Sequence, residues 1–293
     1  MPPSTPSTPR HSAPAPRPSS SLLLLSPTNR LLFLQRPTHH SFASAHVFPG
    51  GVVSPTDSSA QECALRETFE ETGILLTASA PRGLAGAGGA GAGELADAQA
   101  RVHAGTLSFS SWVSSIGGTL LPSAELLPAT TWTTPPGQWK RYCSAMFLAQ
   151  LPGWIRDEDA VGDGGVEGVG RPVWMSPEEA LVKARGGEVL LYPPQLYLLT
   201  EMARVLGEGG GWEGVRDWAG RKGGLECEPE REVVLKSGEW VMGLGPRGDR
   251  DVVVTLLVGE KGTEPRAMEV VPRKEMMERL ERERVEGERL EKL

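Results

Sequence analysis

Residues 48–74 read Phe48-Pro-Gly-Gly-Val-Val-Ser-Pro-Thr-Asp57, then Ser58-Ser-Ala-Gln-Glu-Cys-Ala-Leu65, then Arg66-Glu-Thr-Phe-Glu-Glu-Thr-Gly-Ile74. The paired glycines Gly50 and Gly51 make a turn, and Gly73 supplies a natural C-terminal stop for the short helix between them. At about 100° per residue, Glu67, Glu70 and Glu71 share one side of that helix, while Ala64, Leu65, Thr68 and Phe69 fall largely on the other. One face is acid and the other is core.

Like charges three and four residues apart weaken a helix by roughly 0.2–0.5 kcal/mol per pair, so a cation is expected to offset this cluster. Hard divalent cations such as Mg²⁺ take oxygen ligands from one or two carboxylates and complete their shell with water and substrate phosphates. A face with three glutamates suits that chemistry, and Arg66 can bridge carboxylates and hold them in place.

The stretch resembles the Nudix box, a pattern of Gly, five residues, Glu, seven residues, then Arg-Glu-apolar-any-Glu-Glu-any-Gly-apolar. Arg66 to Ile74 fits closely, with Thr68 in the first apolar slot. Counting back from Arg66 puts the glycine slot on Val52 and the glutamate slot on Ser58. Gly51 fits only with one extra residue in the loop, and Asp57 then stands in for the glutamate. The resemblance implies an α/β (α+β) fold, the Nudix α/β/α sandwich with a mixed sheet, here with a helical insertion and a C-terminal extension. It also implies hydrolysis of a diphosphate linked to another moiety. Glu67 and Glu71, one turn apart, become the first candidates for Mg²⁺ or Mn²⁺ ligands, with Glu70 third and Arg66 completing the catalytic set. Gly50, Gly51 and Arg36 are candidate substrate contacts, the glycines because bare backbone approaches a phosphate closely. Glu167 is a candidate fourth carboxylate from outside the box.

Phrases outside the box resemble the Nudix branch that includes acyl-coenzyme A diphosphatases of the peroxisomal kind. They are Leu31-Leu-Phe-Leu-Gln-Arg36, Trp132-Thr-Thr-Pro-Pro, Arg141-Tyr-Cys-Ser-Ala-Met-Phe147, Trp174-Met-Ser-Pro-Glu-Glu-Ala-Leu181 and Pro193-Pro-Gln-Leu-Tyr197. In that branch Asp-Thr usually follows the arginine and aromatic; this chain has Cys143-Ser144. The substrate implied is a small diphosphate, coenzyme A or acyl-coenzyme A. ADP-ribose or a nucleotide sugar is an alternative, as is a noncatalytic binding module on the same scaffold.

Composition sets the outer bounds. The 293 residues are 39% apolar and 23% charged with a net charge of −7, which argues against a nucleic-acid partner. No apolar run nears the roughly 20 residues of a membrane span. Cys63, Cys143 and Cys227 are widely spaced with no CxxC pair, so neither a disulfide framework nor a zinc site is expected, and an intracellular, reducing compartment is. No acid precedes Asp57, while Arg10, Arg17, Arg30 and Arg36 do, as in a mitochondrial transit peptide. The terminal Glu-Lys-Leu lacks the small residue that peroxisomal import favours before the basic one. Cytoplasm is the default among the three compartments, and the sequence leaves the oligomeric state open.

The domain expectation is a disordered Pro/Ser-rich tail at 1–18, a Nudix domain at 19–206 with a Gly/Ala-rich insertion at 78–105, and a C-terminal extension at 207–293. Strands are expected at 19–25, 31–35, 74–77, 126–134, 142–151 and 172–175, and helices at 94–103, 107–116 and 192–206, with another capped by Ser176. In the extension, 239–242 and 252–258 suggest a hairpin and 272–293 a charged helix whose charges form a solvated face. Arg36 to Val47 reads as a loop, leaving His39, His40 and His46 for substrate contact or solvent.

Overall fold

The Ser19-Ser-Ser-Leu-Leu-Leu-Leu25 run forms the later part of strand β1 (Arg17–Leu25) and is buried on both faces. Successive strand residues point to opposite sides. Leu22 and Leu24 therefore enter one apolar cluster, and Leu23 and Leu25 enter another. A continuous apolar run is what a strand covered on both sides requires.

The computed structural model describes residues 14–36, 45–79, 91–138, 140–162, 172–258 and 265–290. After β1 come β2 (Leu31–Gln35), β3 (His46–Val47), β4 (Gly50–Val52), α1 (Ala60–Thr72), α2 (Ala92–His103), α3 (Phe109–Ser115), β5 (Leu127–Thr133), β6 (Tyr142–Gln150) and β7 (Val173–Met175). The chain continues through α4 (Pro177–Arg185), α5 (Pro193–Gly207), α6 (Gly211–Lys222), β8 (Leu225–Cys227), β9 (Glu230–Val234), β10 (Glu239–Gly243), β11 (Val252–Val258), β12 (Pro265–Pro272) and α7 (Arg273–Leu290).

The main sheet is mixed, in the order β3-β2-β1-β6-β5-β8, with β4 paired to β1 and β7 to β2. β1 and β6 run parallel in unbroken register from Arg17↔Tyr142 to Leu25↔Gln150, while β2 and β4 join β1 antiparallel. Helices α1, α2 and α3 cover one face through Leu65, Phe69, Val102 and Trp112. Helices α4, α5 and α6 cover the other through Ala180, Leu199 and Trp218. The result is the expected α/β/α arrangement. Among the described residues no helix is long and apolar enough to cross a membrane.

Three local expectations are corrected. Gly50 and Gly51, read as a turn, are the first two residues of strand β4 and pair with Ser21 and Ser20 of β1. Ile74 to Thr77 is not a strand: Thr77 makes a single bridge to Leu120, and Ile74, Leu75 and Leu76 pack into the cluster beneath α1 and α2. His46 and Val47 are not loop but strand, because His46 pairs with Gln35 and donates its N–H to Leu190 O at 2.8 Å. Residues 80–90 of the insertion lie outside the described residues.

The sequence reading placed no element between 208 and 238, yet α6, β8 and β9 form there. β8 extends the main sheet parallel to β5, from Thr130↔Leu225 to Trp132↔Cys227. The hairpin expected at 239–242 and 252–258 belongs to a four-stranded antiparallel sheet, β12-β11-β10-β9. Met242 and Val254 of that sheet join the core under α5, whereas Val241 and Val253 face Met276 of α7.

A buried polar group ties this region to α5. Tyr197 donates its hydroxyl to Asp249 Oδ2 at 2.8 Å, Lys222 pairs with the same carboxylate, and Trp218 Nε1 donates to Glu201 Oε2 at 2.7 Å. Burial raises the Asp249 pKa, but the hydrogen bonds from Lys222 and Tyr197 override it and hold the carboxyl below its ordinary value. Its contribution is thus full above the unfolded carboxylate range and is lost as pH falls through the folded value. Asp249→Ala should cost about 1–3 kcal/mol in urea unfolding at pH 7. Below pH 4 the gap between the parent protein and Asp249→Asn should narrow; a pH-independent gap would exclude the carboxylate as its source.

Candidate active site

Helix α1 is capped at both ends by side chains and backbone that its own sequence supplies. The Ser59 hydroxyl accepts from Glu62 N–H at 3.1 Å, and the Glu62 carboxylate reaches back to Ser58 N–H at 3.0 Å, so Glu62 is bonded both to the N-cap and to the residue before it. At the other end Gly73 adopts φ 70° and bonds Phe69 O at 2.8 Å. These caps fix the register in which Arg66, Glu67, Glu70 and Glu71 emerge.

Arg66 sits at the centre. Its Nε and Nη2 donate to the two oxygens of Asp57 at 2.8 and 2.9 Å, and Nη1 donates to Glu70 Oε1 at 2.9 Å. Nη2 also stands 3.0 Å from Glu67 Oε1 and donates to Val52 O at 3.2 Å. Burial alone would lower the guanidinium's pKa, but the bonds to Asp57 and the charges of Glu67 and Glu70 hold it above its ordinary value. The Asp57 side chain is only 1% exposed and accepts Ser54 N–H at 2.7 Å. Asp57 therefore occupies the acidic position before the helix as a two-pronged anchor for Arg66, and Ser58 serves the helix cap instead.

The first two residues of β4, Gly50 and Gly51, meet the helix at two of the three glutamates. Gly50 N–H donates to Glu71 Oε2 at 2.8 Å. A Cβ added to Gly51 would stand 2.5 Å from the Glu67 carboxyl atoms, so only glycine lets that carboxylate lie against the turn. Glu70 turns aside, with Oε2 3.6 Å from His103 Nδ1 of α2.

Glu67, Glu70 and Glu71 are all buried to under a tenth exposed. Among the described residues, no three His, Cys, Asp or Glu side chains gather into a ready metal cage. What stands at the β4 glycines is a set of carboxylate oxygens in a cradle that a single Cβ would fill. That donor set fits a hard divalent ion, which needs only one or two protein carboxylates.

The remaining candidates are scattered. Arg36 follows β2, donates its backbone N–H to Ala45 O at 2.8 Å, and makes no side-chain bond to α1 or the β4 glycines among the described residues. His46 is buried on β3 with its Nδ1 unpartnered; burial, then the charge of Lys183, lowers its pKa and keeps it neutral. His39, His40 and Glu167 lie outside the described residues. Cys143 and Ser144 lie on β6 opposite Pro18 and Ser19, and the Ser19 and Ser144 hydroxyls are 2.5 Å apart. Cys63 sits under Arg66, where burial pushes its thiol up to about 12, too high for a nucleophile at neutral pH. Sequence reasoning missed Gln99 and His103, both of which reach α1; the available signal was two polar side chains four residues apart on α2.

Two family descriptions match the chain, a NUDIX domain over residues 15–88 and a NUDT19 Nudix domain over residues 60–204. A Caenorhabditis elegans protein named as a nudix hydrolase is 29% identical over 192 residues, 64% of this chain and 60% of its own length. The Acyl-coenzyme A diphosphatase NUDT19 of Gallus gallus is 29% identical over 234 residues, 59% of this chain and 60% of its own length. The chain thus spans about 60% of the length of the curated relatives it matches. A crystal structure of a NUDIX hydrolase from Alicyclobacillus acidocaldarius shares the fold, with a TM-score of 0.52 at 21% identity, covering 64% of this chain and 91% of that one.

Removing the Asp57 anchor takes two hydrogen bonds from a buried guanidinium, leaving it Glu67, Glu70 and the Val52 carbonyl. Asp57→Ala should lower the unfolding free energy by about 3 kcal/mol and Ser58→Ala by about 1 kcal/mol, measured by urea denaturation. Equal losses would show that Asp57 is not the partner that Arg66 depends on.

Proposed function

We propose, from the premise that residues 15–204 form a Nudix domain, that the protein is a divalent-metal-dependent hydrolase cleaving the diphosphate of coenzyme A or acyl-coenzyme A. The observation that carries the reading is the meeting of the β4 glycines, Gly50 and Gly51, with α1. There Glu71 is bonded to Gly50 N–H, Glu67 lies against Gly51, and Arg66 holds Glu67 and Glu70 from behind.

The charge balance supports a cation at this place. One guanidinium is shared among Asp57, Glu67 and Glu70, three carboxylates largely removed from water. Buried charge of one sign is costly unless it is paired. Nudix hydrolases generally use Mg²⁺ or Mn²⁺; here Glu67 and Glu71 would hold the ion, with Glu70 third. When bound, such an ion neutralises phosphate charge and lowers the pKa of the attacking water.

The chain's own residues do the rest. Gly50 N–H fixes the orientation of the Glu71 carboxylate, and the missing side chain at Gly51 leaves backbone that a phosphate can approach. Arg66, itself locked by Asp57, keeps Glu67 and Glu70 from swinging away from the face. Orientation held in advance by such hydrogen bonds costs nothing at the moment of reaction. The coenzyme A assignment draws on the NUDT19 Nudix domain match and the Gallus gallus relative.

The test is a panel of coenzyme A, acyl-coenzyme A, ADP-ribose and a nucleotide sugar, with Mg²⁺ or Mn²⁺, followed by chromatography for phosphopantetheine products. Coenzyme A species should be turned over fastest, and Glu71→Gln should lower kcat at least about 100-fold. Faster turnover of ADP-ribose would overturn the substrate class. Metal binding without turnover of any diphosphate would overturn the hydrolase reading in favour of a binding module, and full activity in Glu71→Gln would overturn the site.

A further inference from the structure

Glu70 is gripped at both its main chain and its side chain by one face of α2. Gln99 Nε2 donates to Glu70 O at 2.8 Å and to Gly162 O at 3.2 Å. Both partners are acceptors only, so it is the amide nitrogen that must face them. Four residues on, His103 Nδ1 stands 3.6 Å from Glu70 Oε2, and residues four apart share a helix face.

The carbonyl contact matters because the last carbonyls of a helix have no partner within it. In α1 the Phe69 carbonyl is taken by Gly73 N–H at 2.8 Å and the Thr72 carbonyl by Val161 N–H at 3.0 Å. The Glu70 carbonyl would be served by Ile74 N–H in a continuing helix. That amide is diverted to Thr72 Oγ1 at 3.2 Å, and Gln99 takes its place. On the apolar side, Phe69 stacks against Phe109 and Trp112 of α3 at 5.7 and 5.0 Å. Helices α2 and α3 therefore contact the last turn of α1 from two directions.

We propose that α2 is a brace for the acidic face, and that Gln99 is a positioning residue that sets where Glu70 stands on it. This rests on the metal-dependent reading above. Gln99 touches no reacting atom; it acts through the Glu70 backbone, and His103 acts through the Glu70 carboxylate. The inserted segment is then part of the catalytic apparatus of this chain, beyond any role as a covering.

The donor at position 99 can be separated from its bulk with three variants of the full chain. Gln99→Leu removes the donor and keeps the volume. Gln99→Lys keeps an N–H donor and adds a positive charge, which suits a helix C-terminus. Gln99→Glu removes the donor and adds a negative charge there.

Expected for Gln99→Leu are a kcat lowered about 5-fold with KM unchanged, a Mn²⁺ dissociation constant raised about 5-fold, and amide exchange over residues 70–76 faster by about the same factor. Gln99→Lys should return each value to within about 2-fold of the parent protein, and Gln99→Glu should be worse than Gln99→Leu in all three. Equal Mn²⁺ affinity and exchange across the series would overturn the brace, as would a ranking by side-chain size. Exchange and Mn²⁺ affinity need no turnover. If no diphosphate is cleaved and the donor ranking still holds, the hydrolase reading fails and the brace stands.

Discussion

The Arg66 guanidinium, sunk among carboxylates at the middle of α1, is the constraint from which the site follows. A buried cation needs partners at each of its donors, and here Asp57, Glu70, Glu67 and the Val52 carbonyl supply them. These four come from three parts of the site: Asp57 from the loop before the helix, Glu67 and Glu70 from the helix face, and Val52 from the end of β4. Satisfying one side chain thus sets the distance between β4 and helix, and with it the gap in which Glu67 and Glu71 stand.

That constraint holds only because the sheet beneath is immovable. β1 is covered on both faces, parallel to β6 along nine residues, and pairs along Ser19 to Ser21 with β4, whose first two residues are Gly50 and Gly51. The Gly50 and Gly51 backbone is therefore placed by strand pairing, while α1 is placed by packing Leu65 and Phe69 on the face of the same sheet. Strand β4 and helix meet at Glu71 because both refer to one rigid object. The C-terminal region adds to the opposite face, where β8 continues the sheet and Asp249 is locked between α5 and α6.

Much of the local structure was legible in the residues. Gly73 announces the end of α1, a 3.6-residue period sorts acids from apolar side chains, and Ser176 marks the start of α4. The failures share a cause. Ile74 to Leu76 is apolar enough for a strand, but its side chains fill the core and its backbone finds one bridge. His46 looked like loop because two strand residues are too few to show a period. The Gly- and Glu-rich region after Gly207 hides α6 and β8, which form because Trp218 and Cys227 fill space in a core built by distant segments.

By itself the sequence determined the acidic helix, its C-terminal stop at Gly73 and the family these residues resemble, because all of them rest on residues a few positions apart. Tertiary structure alone decided three further points: that Asp57 in place of Ser58 anchors Arg66, that Glu70 turns toward α2, and that Gln99 takes the carbonyl Ile74 leaves. The physical reason is reach: a hydrogen bond is made at about 3 Å. Which loop residue or which helix arrives within that distance is set by how the sheet and its two covering layers pack, and local spacing of residue types does not by itself decide it.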